Sequence, residues 1–237
     1  MFNNLQAIVT PGVPLTATAT KTDVLCNGGA TGTLTANITA GVGTPPFQYS
    51  LDGINFQASN VFTELPAGTY TVFFRDNNGC SGTTNSTISQ PAALSSFVST
   101  LPVVCFGQNN GTIRVTASGG KSPYTFSLDG AIYQPADSFN VAAGNYTAYT
   151  RDMNGCITSQ TVSVTEPSLL NFSIATQDAS CDGGADGRIT ITANGGNGGY
   201  QYSLDGTNFQ TSAVFNVNPG NYTVTVKDSK NCNAFQS

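Results

Sequence analysis

The chain has 237 residues, of which 9% are charged, with eight Lys plus Arg and a net charge of -5. Affinity for nucleic acid rests on clustered cations that neutralise phosphates, so this composition excludes that class of partner. There is no histidine, which removes mixed Cys/His zinc sites and the usual base for a serine or cysteine nucleophile.

The first residues, "MFNNLQAIVTPG", lack a basic n-region, and no stretch approaches the roughly 18 apolar residues of a membrane span. An export signal or anchor is therefore expected elsewhere, and no membrane insertion is expected of this segment. Within the opening, "QAIVTP" at 6–11 matches "VSVTEP" at 162–167, and residues 1–11 are expected to be the leftover last strand of a preceding repeat.

From there the chain repeats itself, and such a period decides the architecture before any local feature does. Cys80, Cys156 and Cys232 are spaced 76 and 76 residues apart, and Cys26, Cys105 and Cys181 are spaced 79 and 76. The expected copies are 12–91, 92–167 and 168–237. In the last, only "NAFQS" follows Cys232, so its closing strand is expected to be truncated. An unpaired edge there would suit strand addition from another copy, hence head-to-tail self-association.

Within each copy the pattern alternates at the period of a strand and never at that of a helix. "GTLTANITA", "GTIRVTASG" and "GRITITANG" open six residues after the first cysteine. A Gly/Pro-rich loop leads to "FQYSLDG", "YTFSLDG" and "YQYSLDG", whose aromatic and Leu positions share one face and are expected in the core. Asp52-Gly53, Asp129-Gly130 and Asp205-Gly206 supply a turn, because Gly accepts positive φ and Asp bonds its own backbone. Short strands are expected at Phe56, Tyr133 and Phe209, and again around Val61/Phe62, Phe139/Val141 and Val214/Val217.

Next come "AGTYTV", "AGNYTA" and "PGNYTV", the pattern of an immunoglobulin-like corner in which Tyr70, Tyr146 or Tyr222 ties back to nearby backbone. The following strand ends at Asp76, Asp152 or Asp228. A final strand runs out to Pro91 or Pro167, two or three residues before the next copy begins. The fold class is all-β: tandem immunoglobulin-like antiparallel β-sandwiches, expected in line as a rod. The first copy's extra residues, two before "FQYSLDG" and one between Gly53 and Gly68, are expected in loops.

Through "C-x5-G-x-[LI]", "P-[FY]-x-[FY]-S-L-D-G", "[AP]-G-x-Y-T" and "D-x-x-[GN]-C", the sequence resembles the SprB repeat of gliding-motility adhesins and related giant surface proteins of Bacteroidetes. The resemblance covers nearly the whole chain. It implies export by the type IX secretion system, display on the bacterial cell surface, and adhesion to surfaces or polysaccharide. It brings no catalytic residues.

The residues themselves offer little chemistry. Three identical carboxylate sites in one stalk make an unlikely enzyme, so none is expected. Asp76, Asp152 and Asp228, with Asp178, Asp182 and Asp186 in the third copy, are weak Ca²⁺ candidates, since one carboxylate per junction falls short of a six- to eight-oxygen site. Capping of a turn is the plainer role for them, and no cofactor is expected.

The cysteines allow two pairings. Within a copy, Cys26 would meet Cys80, Cys105 would meet Cys156 and Cys181 would meet Cys232. In an immunoglobulin-like topology, however, those partners lie at opposite ends, roughly 23 Å apart at ~3.3 Å per residue, whereas a disulfide needs Cα atoms within about 7 Å. Short linkers favour Cys26 with Cys156 and Cys105 with Cys232, leaving Cys80 and Cys181 for neighbours. Two functions fit: a disulfide-stabilised spacer, or a multivalent module with weak glycan affinity. The loops "GVGTPP", "GGKSP" and "GGNGG" share no aromatic side chain, which favours the spacer.

Overall fold

The computed structural model describes residues 12–180 and 186–236. Among these residues are eighteen strands and no helix. The first copy holds β1 (Ala17–Thr22), β2 (Gly32–Ile38), β3 (Gln48–Ser50), β4 (Val61–Leu65), β5 (Gly68–Arg75) and β6 (Ser81–Ile88). The second holds β7 (Ser95–Leu101), β8 (Gly111–Ser118), β9 (Thr125–Ser127), β10 (Ser138–Val141), β11 (Gly144–Arg151) and β12 (Ile157–Val164). The third holds β13 (Asn171–Gln177), β14 (Gly187–Asn194), β15 (Gln201–Ser203), β16 (Val214–Val217), β17 (Val224–Lys227) and β18 (Asn233–Gln236).

The strands form sheets of three in one recurring order: β1-β2-β4 with β3-β5-β6, then β7-β8-β10 with β9-β11-β12, then β13-β14-β16 with β15-β17-β18. The opening, second and fourth strands on one side, and the third, fifth and last on the other, make the order of an immunoglobulin-like sandwich. Alternation explains the packing. In β5 the side chains of Val72 and Phe74 are buried, and with Leu15, Leu34, Ala36 and Tyr49 they form one core. Leu170, Ile189, Ile191, Tyr202, Val224 and Val226 build the corresponding core of the third copy.

By packing, the chain divides into two compact units. One is Met1–Ser95 with Ser118–Tyr124 and Arg151–Thr158; the other is Ser96–Ala117 with Thr125–Thr150 and Ser159–Ser237. Loops of the second copy thus pack into the unit of the first.

Two expectations need correction. The strand expected at Phe56, Tyr133 and Phe209 is a single bridge one residue later, Tyr49 with Gln57, Phe126 with Gln134 and Tyr202 with Gln210. The aromatic rings do other work: Arg75 lies 4.0 Å over the Phe56 ring and Lys227 4.1 Å over Phe209. The first copy's single extra residue does not extend a loop. Gly32 pairs with Leu65 and Leu34 with Phe62, so Thr33 faces both Thr63 and Glu64, and Glu64 takes φ 59°. The insertion is absorbed as a β-bulge, which leaves the inward face of β4 in register.

At the corner, Tyr70 donates to Pro66 O at 2.9 Å, Tyr146 to Ala142 O at 3.0 Å and Tyr222 to Asn218 O at 2.9 Å. Each hydroxyl reaches back four residues, fixing the entry of the fifth strand or of the segment leading into it. In the Asp-Gly turn, a serine three residues before the glycine acts with the Asp. Ser50 donates to Asp52 Oδ1 at 2.7 Å and accepts from Gly53 N at 3.0 Å, while Asp52 Oδ1 accepts from Ile54 N and Asn55 N at 2.8 Å each. Ser127 with Asp129 and Ser203 with Asp205 repeat this network.

Candidate functional site at the stapled junctions

The fifth strand of each copy ends at an aspartate that is buried although it carries a charge: Asp76, Asp152 and Asp228. Each carboxylate collects N–H groups from two loops. Asp152 Oδ1 accepts from Asn154 N at 2.9 Å and Cys156 N at 2.8 Å, and its Oδ2 accepts from Lys121 N at 2.8 Å. Asp228 accepts from Lys230 N, Cys232 N and Asn197 N, and also from Asn197 Nδ2. Asp76 accepts from Asn78 N, Cys80 N and Thr44 N. Burial pushes the Asp76 and Asp228 carboxyls up, but these donors outweigh it and hold both below the ordinary aspartate value. Of the roughly four lone-pair sites on each carboxylate, three or more take N–H donors, the arrangement of a turn cap.

This carboxylate fixes the turn that carries the second cysteine of the copy. In one unit, that turn brings Cys156 to Cys26 as a disulfide with Cα atoms 5.7 Å apart. In the other, Cys232 meets Cys105 at 5.6 Å. The within-copy pairs Cys26 with Cys80, Cys105 with Cys156, and Cys181 with Cys232 do not form, because Cys26, Cys105, Cys156 and Cys232 are already bonded across copies. Cys80 is an exposed free thiol on the same kind of turn. Cys181 and Asp182 lie outside the described residues. Asp186 accepts from Ser180 N at 3.1 Å and from the Ser180 hydroxyl.

Hydrogen bonds accompany each staple. Asn154 Nδ2 donates to Leu25 O at 2.8 Å, the carbonyl just before Cys26. At the other junction the equivalent carbonyl, Val104 O, accepts from Asn197 Nδ2 at 3.0 Å. The amide comes from different places: Asn154 sits on the cysteine turn and Asn197 on the Gly-rich loop. The linker is gripped as well. Gly120 N donates to Ala92 O at 2.8 Å and Gly196 N to Ser168 O at 2.9 Å. A Cβ on Gly119 would lie 2.0 Å from Ala93 O, and one on Gly195 2.0 Å from Leu169 O, both at positive φ, so only glycine fits there.

The loop holding the first cysteine is anchored from below. Val24 N donates to Ser89 O at 3.0 Å and Val103 N to Thr165 O at 2.9 Å. Gly28 N donates to Gln90 Oε1 and Gly107 N to Glu166 Oε2, both at 2.7 Å. Linker, closing strand and loop are thus one connected assembly around each disulfide.

The SprB repeat family model matches residues 18–56, 98–131 and 173–209, in register with this geometry. The chain carries three SprB repeats. Each matched stretch contains the first cysteine and the Ser-Leu-Asp-Gly turn. The buried aspartate and the second cysteine of every SprB repeat lie beyond it. No curated protein matches the chain. Among solved structures, three immunoglobulin domains of titin are 13% identical, with 94% of this chain and 96% of that chain covered and a TM-score of 0.38. The N-terminal eight immunoglobulin domains of Down Syndrome Cell Adhesion Molecule are 13% identical over 86% of this chain and 33% of that chain, at a TM-score of 0.31. Bacteroides ovatus SGBP-B, in complex with a mixed-linkage heptasaccharide, is 14% identical over 90% and 61%, at a TM-score of 0.20.

The acidic groups of the SprB repeats give a pH prediction. Asp129 is held at about 2, first by the Ser127 hydroxyl and then by backbone N–H groups, and Asp52, Asp205, Asp76 and Asp228 are also depressed. A carboxyl whose folded pKa lies below its unfolded value of about 3.9 stabilises the fold above that value and ceases to do so as pH falls through the folded pKa. Melting temperature is therefore expected to be flat from about pH 7 to 5 and to fall steeply between about pH 4 and 2. Thermal unfolding followed by circular dichroism across that range checks it; a melting temperature unchanged at the acid end would contradict the hydrogen-bond assignments.

Proposed function

We propose that this chain is an extracellular spacer of a bacterial surface adhesin, part of a stalk that holds an adhesive element away from the cell in surface attachment or gliding motility. The observation that carries this reading is the pair of disulfides joining successive repeats, Cys26 to Cys156 and Cys105 to Cys232. A module built for binding gains little from covalent ties between neighbours. A spacer under tension gains a second path for force at every junction. Such bonds persist in an oxidising compartment, which fits export to the cell surface by type IX secretion.

On this reading the immunoglobulin-like repeats stand in line, with boundaries near Pro91 and Pro167, and the partners of each repeat are its neighbours. Adhesion to a surface or polysaccharide belongs to another part of the parent protein. No catalytic group, metal or cofactor is required. The test is a glycan array probed with the oxidised chain, combined with small-angle scattering. Background-level binding and a maximum dimension above ~90 Å, as expected for stacked sandwiches with strands rising ~3.3 Å per residue, support the spacer. Saturable glycan binding, or a globule well below that length, overturns it.

A further inference from the structure

The two staples close the same kind of junction, yet their sulfurs sit in different surroundings. Cys26 and Cys156 are both half-buried, as is Cys105, whereas Cys232 is only 8% exposed. A carbonyl lies 3.5 Å from the second sulfur at each junction, Leu25 O beside Cys156 Sγ and Val104 O beside Cys232 Sγ, so it does not tell them apart. Asn197 does. Its Nδ2 lies 3.5 Å from Cys232 Sγ while donating to Val104 O at 3.0 Å and to Asp228 Oδ2 at 2.8 Å. Both amide hydrogens are thereby taken, so the group covers the sulfur without offering it a hydrogen bond. At the first junction Lys121 holds the same place, after Gly119-Gly120 as Asn197 follows Gly195-Gly196, and reaches the junction through its backbone N on Asp152 Oδ2. The amide that serves there, Asn154, belongs to the cysteine turn itself and donates to Leu25 O.

We infer that the Cys26–Cys156 staple is a redox-sensitive release and the Cys105–Cys232 staple a resistant tie, so that a dithiol opens the two junctions in a fixed order. Thiol–disulfide exchange depends on access to the attacked sulfur and on how readily the other sulfur leaves. At the first junction one thiolate of the dithiol attacks Cys156 Sγ, the Sγ–Sγ bond breaks, and Cys26 departs as a thiolate that takes a proton from water. The second thiolate of the reagent then attacks the reagent sulfur of the mixed disulfide and releases Cys156. The dithiol ends as its own disulfide, and two electrons and two protons have passed to the protein. At the second junction, burial and the Asn197 amide obstruct attack on Cys232. Cys105 can be approached through a groove of about 300 Å³ lined in part by Cys105, Phe106, Leu169 and Cys232. Attack there expels Cys232 as a buried thiolate, against an amide that is itself bound to the Asp228 carboxylate. Desolvation and like charge both oppose that departure. The order of opening rests on the sulfur environments alone and holds whether or not the chain is a spacer; in a stalk it lets the first junction lengthen while the second holds.

The experiment uses the full oxidised chain with Cys80→Ser and Cys181→Ser, so that only the four staple cysteines remain. Timed exposure to dithiothreitol, followed by alkylation and peptide mapping, should show Cys26–Cys156 reduced at least ~10-fold faster than Cys105–Cys232. In concentrated guanidinium chloride the two rates should converge, because the difference comes from the fold. Asn197→Ala should speed reduction of the second bond several-fold and leave the first unchanged. Ile191→Ala, which loosens the core of the same repeat away from the sulfurs, should speed the second bond much less. Equal rates in the folded chain overturn the inference, as does a second bond that opens first or a ratio that persists under denaturation. The comparison of the two bonds needs no substitution at either junction, so it decides the order even where Asn197→Ala folds poorly. An Asn197→Ala chain that folds but loses its second bond no faster than Ile191→Ala removes the amide from the account of that resistance.

Discussion

Stretched to its covalent limit between residues 26 and 232, the oxidised chain is expected to reach about 180 Å and the reduced chain about 720 Å, at ~3.5 Å per extended residue. The cause is the overlap of the two disulfide loops. Cys26 to Cys156 and Cys105 to Cys232 enclose 130 and 127 residues, and both loops contain the segment from Cys105 to Cys156. The shortest covalent path crosses from Cys26 to Cys156, runs back along that segment to Cys105, and crosses to Cys232. Most of the first and third repeats lies off this path and is shielded from load. Opening the first bond alone with Cys26→Ser lengthens the path to the residues from 26 to 105, about 280 Å. Force spectroscopy with handles at both ends, with and without a reducing agent, separates the three values. Equal extension in oxidised and reduced chains would show that the staples carry no force.

Much of this arrangement is legible in the sequence, for definite reasons. Alternation at Val72 and Phe74, and the Gly-x-Tyr of the corner, are local signals, and local geometry suffices to place the strand and to bring the Tyr70 hydroxyl within reach of Pro66 O. The expectation that Cys26 faces Cys156 follows from which end of a sandwich each loop occupies, and the structure joins those two residues. What escaped the sequence reading depends on contacts between distant loops. Asp152 reads as a turn residue, and nothing local reveals that Lys121 N, thirty-one residues earlier, shares its carboxylate. The amides Asn154 and Asn197 serve one purpose from different loops, so no single column of the repeat marks them. The serine of Ser-Leu-Asp-Gly was available as a signal. It recurs in all three copies at a buried position, where a hydroxyl persists only if it is hydrogen-bonded. The bulge at Glu64 was not available, because an inserted residue looks the same in a loop and in a strand until its partner across the sheet is known.

The second large effect is expected from Asp152→Ala. This carboxylate is 4% exposed and anchors three N–H groups from two loops, those of Lys121, Asn154 and Cys156. Hydrogen bonds to a charged acceptor contribute about 1.5–3 kcal/mol each, and donors left without a partner add their own desolvation cost. Water can reach Lys121, an exposed loop residue, so part of the loss is recovered, and a net destabilisation of about 3 kcal/mol is expected. For a chain of this size that corresponds to a fall of roughly 6–12 °C in melting temperature. Asp152→Asn should cost about half as much, since one oxygen still accepts while the amide NH₂ opposes a donor. A second readout separates a loosened junction from general destabilisation. The turn from Asp152 to Cys156 presents one half of the staple, so Asp152→Ala should speed reduction of the Cys26–Cys156 bond by dithiothreitol at least several-fold while leaving the Cys105–Cys232 bond, in the other unit, at its original rate. Quenched reduction followed by peptide mapping resolves the two bonds. If both are reduced faster by the same factor, the carboxylate stabilises the fold without holding the junction; if neither rate changes, it does not fix the cysteine turn at all.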